Sequence, residues 1–252
     1  MSFAVAADAY DRYMGRYSAA LAPQLAAYAG VRSGQRVIDV GCGPGALTRE
    51  LVDRLGLANV FAIDPSEPFV AAIRERFPGV DVRLAAAEQL PFPDNAFDAA
   101  LAQLVVHFMS DPVAGLREMA RVVGHDGVVG ACVWDHAGEQ SPLSVFWRAA
   151  RELDPDVEDQ SRRAGVREGH LAELFLQAGL RNVESTALEA TVVHASFEEW
   201  WGPFTLGVGP AGVYMSRLDA DRRNELMKRC RELLPPAPFE IAARAWTARG
   251  VV

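Results

Sequence analysis

One stretch constrains this chain more than any other: Val37-Ile-Asp-Val-Gly-Cys-Gly-Pro-Gly-Ala46. A short apolar run that ends in glycines is a buried strand feeding a tight turn. Gly41 and Gly43 let the backbone turn sharply and approach a ligand with no Cβ in the way. A helix over 46–55 follows, with Leu47, Leu51 and Leu55 on one face, and its first N–H groups point at that ligand. The same rhythm then repeats. Asn59–Ile63 predicts a second strand, closed by Asp64-Pro65, and 67–77 a helix stopped by Pro78-Gly79. Val80–Leu84, Phe97–Leu104 and Gly127–Trp134 predict three more strands, with a helix over Val113–Val123. Such alternation builds an α/β fold, a doubly wound and mostly parallel sheet covered on both faces.

After Trp134 the rhythm breaks. Residues 141–153 and 167–178 predict helices, Asn182–Val193 and Phe239–Val252 strands, and 196–233 helical stretches with a Gly/Pro-rich patch. Upstream, residues 4–29 are Ala- and Tyr-rich with helical spacing, and Pro23 is expected to start a second helix there. The chain of 252 residues is thus expected to form a single domain, 1–252, with insertions at 135–166 and 196–235. Loops at the carboxyl edge of such a sheet carry ligands. A net charge of −8 without any Lys/Arg run speaks against binding nucleic acid through its phosphates. Cys42, Cys132 and Cys230 are too scattered for a zinc site and are expected to be reduced thiols, so no metal is expected. No basic leader opens the sequence and no run approaches ~18 apolar residues, so a cytoplasmic protein without a membrane span is expected.

Gly41, Gly43 and Ala46 also satisfy the dinucleotide pattern G-x-G-x-x-[GA], so glycine spacing alone does not choose between nucleoside cofactors. Asp39, two residues before the first glycine, discriminates. A pyrophosphate in that turn would face its carboxylate, which is repulsive. S-adenosylmethionine carries an ammonium and a sulfonium and no phosphate. Asp39 can equally cap the turn. Asp64, at the end of the next strand, is placed to accept hydrogen bonds from both hydroxyls of a ribose.

These residues resemble the class I S-adenosylmethionine-dependent methyltransferases, in the small-molecule branch that includes the quinone-biosynthesis C-methyltransferases. Val37–Gly45 looks like their first motif and Phe61-Ala-Ile-Asp-Pro-Ser66 like the second. Ala85-Ala-Ala-Glu-Gln-Leu-Pro-Phe-Pro-Asp-Asn-Ala-Phe-Asp98 resembles the stretch bordering the adenine. The similarity covers residues 37–133 well and is looser over 167–190. It implies a seven-stranded Rossmann-like sheet with the last strand antiparallel, and a helical lid over residues 1–30. The insertions would form a substrate cap, with Trp134, His136, Trp147, Trp200, Trp201 and Phe204 available for an aromatic pocket.

The resemblance also implies site residues. Asp39 and the backbone of Gly41, Cys42 and Gly43 would hold the methionine part, and Asp64 the ribose. Pro65 and Ser66 would shape the adenine pocket, with Ala87 and Glu88 at its edge. Gln103 would lie near the methyl donor, and Arg16, in a cluster with Tyr10, Tyr13, Met14 and Tyr17, would pair with the cofactor carboxylate. His107 is a candidate general base. Two departures stand out. The family often has Asp where this chain has Ala86, and the [DN]-P-P-[YF] of amino-methyltransferases is replaced by Gln103-Leu-Val-Val. The implied reaction moves the S-methyl group to a small organic acceptor and leaves S-adenosylhomocysteine. A non-catalytic S-adenosylmethionine-binding protein and an NAD(P)-dependent oxidoreductase remain as alternatives.

Overall fold

A computed structural model describes residues 7–252. Residues 4–6 of the expected N-terminal helix, and the first six residues read for a leader, lie outside the described residues. The helical segment opens with α1 (Ala7–Tyr10), widens into one π-helical turn (Asp11–Gly15) and continues as α2 (Arg16–Tyr28). Pro23 does not start a second helix: it sits inside α2. A proline there forgoes one helical hydrogen bond. The buried face of Leu21, Ala22, Leu25 and Ala26 keeps the helix going through it.

The sheet is built from β1 (Val37–Val40), β2 (Val60–Asp64), β3 (Asp81–Leu84), β4 (Phe97–Gln103), β5 (Val123–Trp134), β6 (Arg181–His194) and β7 (Phe239–Val251). Their order is β3-β2-β1-β4-β5-β7-β6. The first five are parallel, and β7 runs antiparallel to both β5 and β6. Order reverses beside β1, which pairs with β2 on one side and β4 on the other. That reversal opens a crevice at the carboxyl ends of β1 and β4.

Helices cover both faces, because the central strands are apolar on both. In β1 and β4, Val37, Ala99 and Leu101 join one core with Leu21 and Leu25 of α2 and with Leu47 and Leu51 of α3 (Ala46–Leu55). Val70 and Ile73 of α4 (Glu67–Arg76) belong to the same core. Ile38, Val40, Ala100 and Ala102 join the other, with Leu116 and Met119 of α5 (Pro112–Val122). The period-2 alternation of strand side chains explains this division.

The segment 135–166 carries α6 (Ser144–Leu153), and α7 (His170–Gln177) then returns the chain to β6. Between β6 and β7 come α8 (Phe197–Trp201), α9 (Gly209–Arg217) and α10 (Ala220–Leu233). Phe146 of α6 packs among the rings of Trp201 in α8, Tyr214 in α9 and Phe204 in the short 3₁₀ turn (Gly202–Leu206) between them, stacking on Phe204 with centroids 4.6 Å apart. Among the described residues no helix is long and apolar enough to cross a membrane.

Candidate functional site

The turn after β1 is held by the next strand. Gly41 and Cys42 both donate to the Ile63 carbonyl, at 2.8 and 2.9 Å. Gly43 N–H donates to Asp64 Oδ2 (2.9 Å), and Ser66 N–H to Asp64 Oδ1 (2.8 Å). The Asp64 carboxylate therefore ties the glycine turn to the loop after β2. The glycines are required for different reasons. A Cβ on Gly45, at φ +101°, would stand 2.6 Å from Ile73 Cδ1. A Cβ on Gly43, at φ +52°, would meet nothing within 4 Å. Gly45 lets the turn pack on α4, while Gly43 keeps a space open.

That space is a cavity of about 670 Å³ in the β1–β4 crevice. Gly41, Gly43, Asp64, Pro65, Ser66 and Gln103 all line it. Tyr10 reaches it from α1 and meets Phe69 edge-on at 5.5 Å. Gln103 gives its amide N–H to the Ser18 carbonyl (3.0 Å), and its Oε1 is buried without a partner. Leu104, also on the wall, adopts φ +63°. A bulky residue in the left-handed region is strained, and such strain gathers at ligand sites.

Asp39 stands behind the turn rather than on the cavity wall. Strand alternation turns it toward α3, where the Thr48 hydroxyl donates to Asp39 Oδ2 (2.7 Å). Burial pushes its carboxyl up to about 7, against the Thr48 hydrogen bond, and the nearby Asp64 charge adds to the rise. Burial likewise raises Asp64 to about 6, against the N–H bonds from Gly43 and Ser66. Asp64 and Glu67 line this cavity, Asp39 lies behind it, and among the described residues no Lys or Arg lines it.

Other expected site residues lie away from the wall. Cys42 is buried beside the turn, and its thiol is pushed well above its ordinary pKa by burial. Ala87 is buried in the core under α5, and Glu88 Oε1 accepts from the Ser110 (2.6 Å) and Asp111 (3.2 Å) N–H groups. Arg16 points the other way: it donates to Glu199 Oε1 (2.5 Å) and to the Val193 carbonyl (2.6 Å). His107 is buried in a short 3₁₀ turn after β4, its ring centroid 5.6 Å from that of His136. It lines a smaller chamber of about 30 Å³ next to the large cavity. Leu104, Val105, Phe108 and Phe69 were not singled out from the sequence, because nothing in an apolar side chain marks it as a wall rather than core.

Comparison with known proteins bears on the family and the fold. Residues 38–131 match the methyltransferase-domain family. The chain is 34% identical over 140 residues to an uncharacterized methyltransferase of Mycobacterium tuberculosis, across 56% of this chain and 54% of that one. It spans about half the length of such curated relatives. It is 31% identical over 186 residues to the ubiquinone/menaquinone biosynthesis C-methyltransferase of Cupriavidus metallidurans, across 66% of this chain and 76% of that one. Its fold is similar to phosphoethanolamine N-methyltransferase 2 of Haemonchus contortus, solved with phosphomonomethylethanolamine and S-adenosylhomocysteine. That similarity has a TM-score of 0.60 at 16% identity, covering 97% of this chain and 56% of that one.

Proposed function

Since the chain belongs to the family of S-adenosylmethionine-dependent methyltransferases, similar to the quinone-biosynthesis C-methyltransferases, we propose that it methylates a small organic acceptor beside the β1–β4 crevice. The observation that carries this reading is the large cavity lined by Gly41, Gly43, Asp64, Glu67 and Gln103, with Asp39 behind it and, among the described residues, no Lys or Arg on its wall. Such a wall suits a cationic nucleoside and repels a pyrophosphate.

When bound, the cofactor supplies a methyl group already activated on a sulfonium, so the protein's task is alignment and exclusion of water. Asp64 would hold the ribose, and the backbone of Gly41 to Gly43 the amino-acid end. Pro65 and Ser66 would border the base. Asp39 would act through its charge from behind the turn, and Cys42 through its backbone. Ala87 and Glu88 would support the base pocket from outside, with Glu88 fixing the start of α5. Arg16, engaged by Glu199 and Val193, is left out of the cofactor site. The segment up to Tyr28 would serve as a lid, because Tyr10 closes one wall. The insertions 135–166 and 196–235 would cap the acceptor. A cytoplasmic location fits such a role.

Thermal unfolding with S-adenosylmethionine, S-adenosylhomocysteine, NAD and NADP tests the reading. A ligand at about 100-fold its Kd adds ~2.7 kcal/mol, which raises Tm by roughly 5–10 °C. The shift is expected with the two sulfur nucleosides alone. A shift with NAD or NADP alone would overturn the reading in favour of an oxidoreductase.

A further inference from the structure

The segment Ala7–Gly15 meets the large cavity through Tyr10. A groove of about 420 Å³ lies between its π-helical turn and the start of α3, with Asp11 and Gly15 on one side and Pro44, Gly45 and Ala46 on the other. Arg76, the last residue of α4, spans this groove. Its Nη1 donates to the Pro44 carbonyl (2.8 Å) and pairs with Asp11 Oδ2 (2.8 Å), and its Nη2 donates to Asp8 Oδ1 (3.3 Å). One guanidinium thus holds α1, the π-helical turn and the glycine turn together. Phe69, two helical turns earlier, lies on the same face of α4 and meets Tyr10 edge-on at 5.5 Å. The helix α4 therefore grips the segment at two points, by a ring and by a charge.

The three contacts are unequal. Asp8 is 86% exposed and its contact is long, and such a pair contributes little. Arg76 and Asp11 are more enclosed, 29% and 40% exposed, and the Pro44 carbonyl gives the guanidinium a fixed acceptor. The line from Asp11 through Arg76 to Pro44 is therefore the tie that matters. A guanidinium suits it: its planar fork of five N–H donors reaches several oxygens at once, where an ammonium on a flexible stem is a point charge. Arg12 and Arg16, the nearest cations in sequence, line an outer cleft of about 510 Å³, where Arg16 donates to Glu199. Among the described residues, Arg76 is the cation that pairs with Asp8 and Asp11.

We propose that Arg76 is a positioning residue for the methyl donor. Through Asp11 it holds the segment of Tyr10 over the large cavity, and through Pro44 it ties that closure to the glycine turn that takes the donor's amino-acid end. Arg76 itself is not on the cavity wall, so it acts through these two partners. The proposal rests on the methyltransferase reading of the cavity. Because the tie joins two walls of one site, closure of the segment and binding of the donor must favour each other by the same factor.

The test uses the full chain, as wild type and as Arg76→Gln, Asp11→Asn and the double variant. Calorimetry reads S-adenosylhomocysteine binding, hydrogen exchange reads Ala7–Gly15, and urea unfolding reads the fold. Asp11→Asn should weaken binding about 3-fold and Arg76→Gln about 5-fold, the range of a partly exposed ion pair. The double variant should bind no more weakly than Arg76→Gln alone, since both changes cut one tie. Without ligand, exchange over Ala7–Gly15 should quicken in all three. Arg76→Lys, which keeps the charge and loses the fork, should fall between wild type and Arg76→Gln. Additive losses in the double variant, or a lowered urea midpoint with binding unchanged, would overturn the proposal and leave Arg76 a surface ion pair. If Arg76→Gln does not fold, binding and exchange in Asp11→Asn alone decide. Failure of S-adenosylhomocysteine to bind the wild-type chain would overturn the methyltransferase reading, whereas binding without this coupling overturns the proposal alone.

Discussion

Asp39 and the glycines after it show how much one atom decides in the turn. The Asp39 carboxyl is raised to about 7 in the folded chain, against about 3.9 for an unfolded Asp. Between those values the native state keeps a proton that the unfolded state has released. Stability contributed by this group therefore falls as pH rises from about 4 to 7. Asp39→Asn keeps an acceptor for the Thr48 hydroxyl and removes the buried charge. It should stabilise the chain by about 1–2 kcal/mol at pH 8, with the gain shrinking toward pH 5. Urea unfolding at the two pH values checks this; equal gains would mean the carboxylate carries no burden. Gly45→Ala should cost ~3 kcal/mol, combining left-handed strain with overlap on Ile73. Gly43→Ala should cost only ~1 kcal/mol, yet weaken S-adenosylhomocysteine binding more, since its Cβ projects into open space. Calorimetry and urea midpoints on both variants separate the two roles. The acid and glycine pattern was legible because the turn is contiguous in sequence. The direction of the Asp39 side chain was less so: alternation along β1 aims it at Thr48, and only the position of α3 reveals that partner.

At the scale of elements, strands and helices up to Trp134 follow the sequence rhythm closely because each is local and strongly patterned. The helix over 46–55 is α3 without adjustment. Pro23 misled because packing offsets the one backbone bond it forgoes: Leu21 and Leu25 are fully buried on the sheet. The stretch Ala85–Asp98 holds a partner that spacing does not reveal. Glu88 spends its carboxylate on the first N–H groups near α5, a partner 22 residues away that no spacing rule indicates. The N-terminal segment leads to a prediction of its own. Its π-helical turn, Asp11–Gly15, lies between Tyr10 on the large cavity and Arg16 on the outer cleft. With S-adenosylhomocysteine bound, amide exchange over Ala7–Gly15 should slow at least several-fold while α5 is unchanged. Unchanged exchange over Ala7–Gly15 would remove the lid from the reading.

Over the whole molecule, the large cavity is built at the ends of three strands that are neighbours in the sheet, β2, β1 and β4, whereas Tyr13, His107, Trp134 and Gln160 line the small chamber. Those four residues are far apart in sequence, and their common property is burial without partners, which arises only on folding. That is why His136 and Trp134 could be noticed as aromatics beside an insertion, and Gln160 not at all. The three thiols have a similar collective meaning. Cys42 lies in the glycine turn, Cys132 in β5 of the sheet, and Cys230 in α10, all free and buried. Burial holds the Cys132 and Cys230 thiols up at about 12, so the folded chain presents them neither exposed nor ionised. Their alkylation must wait for local opening. The protein therefore carries three clocks of its own, one each in the turn, the sheet and α10, whose relative rates would tell which of these parts breathes first.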